Sequence, residues 1–269
     1  MESGNNSSPA RDRQLPRVQP DLEEFLAEIA DGFTGWDFDY LTGSGRMSEA
    51  PLPWCYRNLL HPYLKKASSM LDMGTGGGEF LLRLKPLPAQ TWATEGYVPN
   101  IPVAQTNLKP EGVTVIGVHD DENLPLPDSS LELIINRHES FSPDEVARLL
   151  KPGGVFITQQ AGGRNDEDFN HWLGAPMPPY YNWSLESAQK GLSEAGLELL
   201  WGDEAFVHTR FHDLGAMIFY LSIVEWQIEN FSVNTYKPQL SELHRRFAAE
   251  GWLDVTCHRF VLAARKPNR

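Results

Sequence analysis

The 269-residue chain is poor in cysteine: it has two, Cys55 and Cys257. They lie far apart and neither stands at metal-ligand spacing, so the sequence offers no zinc site and no disulfide framework. Both are read as buried thiols of a reducing compartment. Basic charge is also scarce. Against 36 acidic side chains stand 23 basic ones, for a formal net charge of −13. That balance makes a nucleic-acid backbone an unfavourable partner. No apolar run approaches the length that spans a bilayer. The opening stretch MESGNNSSPARDRQLPRVQP has no apolar h-region. It reads as a disordered polar tail over residues 1–20, and the expected location is cytoplasmic. There is no internal repeat. What remains is an ordinary globular composition, 41% hydrophobic and 22% charged, long enough to bury a core without covalent staples.

The residues that are present alternate in character. After an amphipathic helix from Asp21 and a Gly/Pro-punctuated aromatic loop, WCYRNLLHPYL reads as a helix interrupted near Pro62. Then SMLDM, TWATE, VTVIGV, LELIIN and GVFITQQ read as short apolar strands separated by helices. Apolar strands alternating with helices predict a parallel sheet covered on both faces, and right-handed crossovers make it doubly wound. The last third adds the helix SLESAQKGLSEAG, a strand ending in AFVHTRF, the apolar helix DLGAMIFYLSIVEW, the helix PQLSELHRRFAAEG and a final strand VTCHRFVLAARK. The expected organisation is a tail (1–20), a helical and looped cap (21–67) and an α/β domain (68–269) with a helical insertion at about 212–250.

Four glycines crowd the turn after SMLDM, in DMGTGGGEF. Glycine is costly to order, so this turn needs close approach to something. Gly74 and Gly76 suit the tight turn, and Gly78 suits close packing of helix and strand. The dinucleotide fingerprint G-x-G-x-x-G is broken, because Glu79 stands where its third glycine belongs. The pattern present is D-x-G-x-G-x-G, from Asp72 through Thr75 to Gly78. An acid just before such a turn opposes a pyrophosphate and suits an amine.

This stretch resembles motif I of the class I S-adenosylmethionine-dependent methyltransferases. Further features stand in the order that family shows: TWATEG, ending a strand in Glu95 and Gly96; VHDDENLPLPDSSLELII; and EVARLLKPGGVFIT. The resemblance covers roughly Ser68 to Gln160. It implies a Rossmann-like seven-stranded sheet, with the last strand antiparallel beside the fifth, and S-adenosylmethionine as cofactor. By the same resemblance, Glu95 holds the ribose and Asp120 contacts the adenine amino group. Asp121 takes the next position, which is usually small, and Asn136 lies beside the methionine moiety. No metal is implied.

Methyl transfer from a sulfonium is an in-line displacement whose leaving group departs neutral, so alignment carries most of the catalysis. A base is needed only where the acceptor must lose a proton. The run after the fourth family strand, Arg137, His138 and Glu139, supplies the candidates: His138 as base or orienter, Arg137 as anchor for an acidic acceptor, and Glu139 beside them. Gln159 and Gln160 alternate on a strand, so only one can face the cleft. Gly162 and Gly163 permit close approach, and Trp36 or Tyr40 could face the sulfonium. MPPY at Met177–Tyr180 is out of place for an amino-methyltransferase motif and reads as a loop. The leading reading is a methyltransferase for a small-molecule acceptor. An RNA methyltransferase, which would need a basic strip drawn from residues such as Arg210, Arg245 and Arg246, and a non-catalytic S-adenosylmethionine-binding protein stand as alternatives. The sequence does not name the acceptor atom or the oligomeric state.

Overall fold

A computed structural model describes residues 39–268. The expected tail, the helix from Asp21 and Trp36 lie outside the described residues. The described chain divides into two compact units, one built from Glu49–Thr209 and the segment from Val255, the other from residues up to Ser48 with Arg210–Asp254.

The larger unit holds the sheet. Its central strands are β2 (Ser69–Met73), β3 (Gln90–Glu95), β4 (Thr114–Gly117), β5 (Leu131–Arg137) and β6 (Leu150–Ala161). All their pairings are parallel: β2 with β3 and β5, β3 with β4, and β5 with β6. The last strand, β8 (Leu253–Arg265), runs antiparallel against β6. With β7 (Glu198–Phe211) and a three-residue strand β1 (Met47–Glu49), the full order is β1-β7-β8-β6-β5-β2-β3-β4. Leaving out β1 gives the seven strands expected, with the last antiparallel beside the fifth. The short β1 falls where the sequence reads as loop, because three residues are too few to show a period.

All five residues of β2 are buried, as befits a central parallel strand covered on both faces. Leu71, Met73, Ile134 and Phe156 pack on one face against Val146, Leu149 and Leu192. Met70, Ala93, Leu133, Ile135 and Ile157 pack on the other against Leu60, Leu64, Ala104 and Leu108. The strand period of two then places the polar residues. Asp72, Glu95 and Arg137 share the face of Met70, Ala93 and Ile135. Asn136, Thr158 and Gln160 share the face of Ile134 and Phe156.

The helix expected after the glycine turn is short, Glu79–Leu82. The helices Pro143–Leu149, after β5, and Leu185–Glu194, before β7, start at side-chain caps. Ser142 accepts from the Glu145 N–H, with Pro143 in the first turn, and Ser184 and Ser187 form a reciprocal capping box. Cys257 is buried, but Cys55 is exposed, contrary to the expectation, because it caps the helix Tyr56–Leu64 at a point where the chain turns to solvent.

In the smaller unit, helix Leu214–Ile223 is apolar on every side and mostly buried. Its cap Asp213 accepts from the Ala216 N–H at 2.7 Å and holds Arg46 through both oxygens at 2.6 and 2.8 Å. Tyr40 rests on Phe219 with ring centroids 4.7 Å apart. A second helix, Val233–Glu250, is kinked at Tyr236 ahead of Pro238. Arg210, Arg245 and Arg246 pair with Asp254, Glu242 and Glu250, so each of these cations is already matched by an acid.

Candidate functional site

Parallel strands leave a crevice at their carboxyl ends, where neighbouring connections diverge. Here it is a cavity of about 590 Å³. Its floor is Gly74, Thr94 and Gly96, from the turns after β2 and β3; its walls are Val118–Glu122 and Glu139–Pro143. Among the described residues, four acids line it, Asp120, Asp121, Glu122 and Glu139, with no lysine or arginine and with His119 as the one histidine.

The glycine loop is closed upon its own sheet. The Gly74 N–H lies 3.4 Å from Thr94 Oγ1, the Thr75 N–H donates to the Thr94 carbonyl at 2.9 Å, and the Gly76 N–H donates to Glu95 Oε2 at 2.6 Å. The other oxygen of Glu95 accepts from the Tyr97 N–H at 2.8 Å. These donors are therefore spent on the protein rather than offered to a phosphate. Gly74, Gly76 and Gly78 all have positive φ, at 67°, 61° and 88°, which favours glycine. A Cβ on Gly74 would overlap the Glu139 side chain, and one on Gly78 would overlap Leu108.

Of the residues singled out in the sequence, Gly74, Gly96, Asp120, Asp121 and Glu139 meet at the cavity. Asp72, Thr75, Glu95 and Asn136 are buried behind it. Asp72 lies in the strand with its pKa raised to about 7, first by burial and further by Glu95, while Thr75 and Arg137 offset part of the rise. The Thr75 hydroxyl faces Asp72 without a well-aligned bond, and it is a buried oxygen with no hydrogen-bond partner. Asp120 is exposed, and its Oδ1 accepts from the Glu122 and Asn123 N–H groups at 3.0 and 3.3 Å, fixing a turn. Asp121 accepts from the Ser140 hydroxyl and has a raised pKa, first because it is desolvated. Glu139 is raised to about 7, by burial and then by Asp121 and Glu95.

Arg137 and His138 sit at the rim. The Arg137 guanidinium lies over the Phe80 ring, 4.8 Å from its centroid. His138 has φ 62°. Trp54 Nε1–H donates to Gln159 Oε1 at 2.9 Å, which turns the Gln159 amide nitrogen to His138 Nε2, 3.1 Å away. That nitrogen must accept, so the imidazole is the neutral Nδ1–H tautomer. Crowding of the ring, with Arg259 and Arg137 as further causes, pushes its pKa below the ordinary histidine value.

Gln160, on the opposite face, donates to Asn136 Oδ1 at 2.7 Å and to the Glu139 carbonyl at 2.8 Å, so it braces the loop that carries Glu139. Gly162 makes room for the His258 ring and Gly163 for the backbone of Tyr180–Tyr181. Those two glycines serve packing.

Several contributors were not singled out in the sequence. Tyr56 donates its hydroxyl to the carbonyls of Asn136 and Ile157, at 2.8 and 2.9 Å, tying the ends of β5 and β6. Glu145 accepts from the Leu124 N–H at 2.6 Å, and Arg148 donates to the carbonyls of Leu124 and Leu126. Together they pin the segment that follows Asp120 and Asp121. A buried acid and a base three residues apart on an otherwise amphipathic helix were the available signal.

Residues 71–158 match the methyltransferase domain family.

That stretch of the chain is similar to a methyltransferase domain. Its resemblance to class I S-adenosylmethionine-dependent methyltransferases holds at the level of family and fold. No curated protein matches the sequence. Among solved structures, the chain is similar to a provisionally named methyltransferase of Bacillus halodurans C-125. The identity is 20%, coverage 79% of this chain and 98% of that one, and TM-score 0.56. A protein of unknown function from Deinococcus radiodurans R1 has 15% identity, coverage 82% and 90%, and TM-score 0.57. The cyclase SpnF has 19% identity, coverage 78% and 79%, and TM-score 0.50. At these identities the likeness is one of fold, and a cyclase among the neighbours shows that fold alone does not fix the reaction.

Proposed function

We propose that the protein is an S-adenosylmethionine-dependent methyltransferase acting on a small-molecule acceptor. The observation that carries this is the charge of the cavity: among the described residues, four acids and no lysine or arginine around a glycine-floored crevice at the carboxyl ends of parallel strands. Such a cavity favours a cationic nucleoside and opposes a pyrophosphate. The fit is supported by Gly74, where a side chain would fill the crevice, and by the closed N–H groups of the loop. The same charge disfavours RNA as acceptor, because a polyanion gains nothing at an acid-lined opening.

When bound, S-adenosylmethionine supplies a methyl group on a positively charged sulfur. The chain's residues have four tasks around it. Gly74 and Gly96 leave space. Asp120 and Asp121, on a segment pinned by Glu145 and Arg148, would hold the base. Asn136 presents backbone held in place by Tyr56. Glu139 sets the charge at the floor. Of the three rim candidates, Glu139 alone lines the cavity. His138 has its lone pair engaged by Gln159, so it orients rather than abstracts in this state. Arg137 lies over Phe80 and can reach an acidic acceptor only by leaving that ring. Catalysis then rests on alignment.

Calorimetric titration with S-adenosylmethionine and, separately, with NAD tests the reading. Micromolar binding of the first and none of the second is expected; the reverse preference would refute it.

A further inference from the structure

Among the described residues no cation pairs with the acids of the cavity, and one of these acids reaches from the wall onto the floor. Glu139 rests on Gly74 so closely that a Cβ there would meet its Cγ at 2.4 Å and its Oε2 at 2.6 Å. Asp121, from the connection after β4, and Glu95, from the end of β3, face it, and Asp72 couples to Glu95 from behind the loop. His119, Asp120 and Glu122 line the same space. Ser140 joins the first two: its hydroxyl donates to Asp121, and it also meets the Glu139 carboxyl. The charges of Asp121 and Glu95 oppose a further one on Glu139 until a cation enters.

We propose that Glu139, linked through Ser140 to Asp121, is a proton-exchanging gate: the ligand-free site holds a proton there, and a cationic ligand displaces it. The step balances simply. The Glu139 O–H bond breaks, the proton goes to the buffer, and the new carboxylate pairs with the positive charge of the ligand. The inference rests on the cofactor reading above and adds one property to it: affinity for a nucleoside that carries the ammonium, as sulfonium or as thioether, rises with pH through the neutral range. Glu139, with its pKa raised to about 7 by burial and by Asp121 and Glu95, is placed to titrate in that range. Asp72 titrates there too, so a variant must separate the two.

The test is calorimetry at pH 6, 7 and 8 in buffers of different ionisation enthalpy, with three probes. S-adenosylmethionine carries sulfonium and ammonium, S-adenosylhomocysteine carries ammonium alone, and methylthioadenosine carries neither. For wild type we expect S-adenosylmethionine to release roughly half a proton at pH 7 and to bind about tenfold more tightly at pH 8 than at pH 6. Methylthioadenosine should release none and bind independently of pH. Glu139→Gln should abolish the release and weaken S-adenosylmethionine about tenfold, while methylthioadenosine stays within about twofold. Should Glu139→Gln fail to fold, Asp121→Asn decides: removing a facing acid should move the midpoint of the affinity profile to lower pH. Binding of S-adenosylmethionine without proton release, or full release retained in Glu139→Gln, overturns the gate and leaves the cofactor reading standing. Failure of all three probes to bind wild type overturns both.

Discussion

Replacing Asp72 by asparagine should make the ligand-free protein more stable at pH 8 and a poorer binder. Asp72 is 4% exposed in the middle of a strand buried on both faces. Burial and Glu95 raise its pKa from 3.8 to about 7 despite the offset from Thr75 and Arg137. The sign follows from linkage. Between those two values the folded state keeps a proton that the unfolded chain has lost, so stability declines as pH rises through the window. A shift of about three units at roughly 1.4 kcal/mol each amounts to about 4 kcal/mol. With local relaxation, about 2–4 kcal/mol should be recovered at pH 8 when the side chain is a neutral amide. Near pH 4.5, where the wild-type carboxyl is protonated in the fold, the advantage should shrink to within about 1 kcal/mol. Urea unfolding followed by tryptophan fluorescence at pH 4.5, 6.5 and 8 measures this directly. The variant should show a shallower pH slope, with the residual slope due to Glu139. A variant that is less stable at every pH, with the wild-type slope intact, would refute the account of Asp72 as a buried charge tolerated for binding.

Other consequences are open to measurement. Gly74→Ala combines a positive φ with overlap on Glu139, so it should cost about 1–3 kcal/mol of stability and close the cavity to nucleosides; adding Glu139→Ala should recover part of the stability loss, since only the overlap is relieved. Glu95→Ala leaves the Gly76 and Tyr97 N–H groups without their acceptor. Urea unfolding should show a loss of about 2–4 kcal/mol, with protection from hydrogen exchange lost first at those two amides. Nitrogen-15 NMR of labelled histidine should find His138 neutral and protonated on Nδ1 at pH 7. Gln159→Leu should release Nε2 and allow the other tautomer.

The fold was legible because its signals repeat. Five apolar strands alternate with helices, and each glycine or proline at a boundary says where an element stops; the antiparallel last strand followed from the family resemblance. The site was legible where chemistry is carried by the chain's own turn: Gly74, Gly96, Asp120, Asp121 and Glu139 could be read because they sit next to strand ends. Less could be read where a partner comes from far along the chain. Nothing near Asn136 announces that Tyr56, 80 residues earlier, holds its carbonyl, and nothing near His138 announces that Trp54 fixes the amide that fixes its tautomer. Glu95 could be read as a ligand carboxylate, but its use as the acceptor that shapes the glycine loop depends on a distance, not on a motif. The same holds for Gly162 and Gly163, whose neighbours, His258 and Tyr180–Tyr181, are set by tertiary packing.

If the acid-lined, glycine-floored cavity receives a positively charged nucleoside, a crystal structure grown with S-adenosylhomocysteine at pH 8 should show density above Gly74, between the 118–122 segment and Ser140, with the ligand's ammonium within hydrogen-bond reach of the Glu139 carboxylate. Density elsewhere on the chain, or a ligand in the cavity with Glu139 turned away from its positive end, would rule that out.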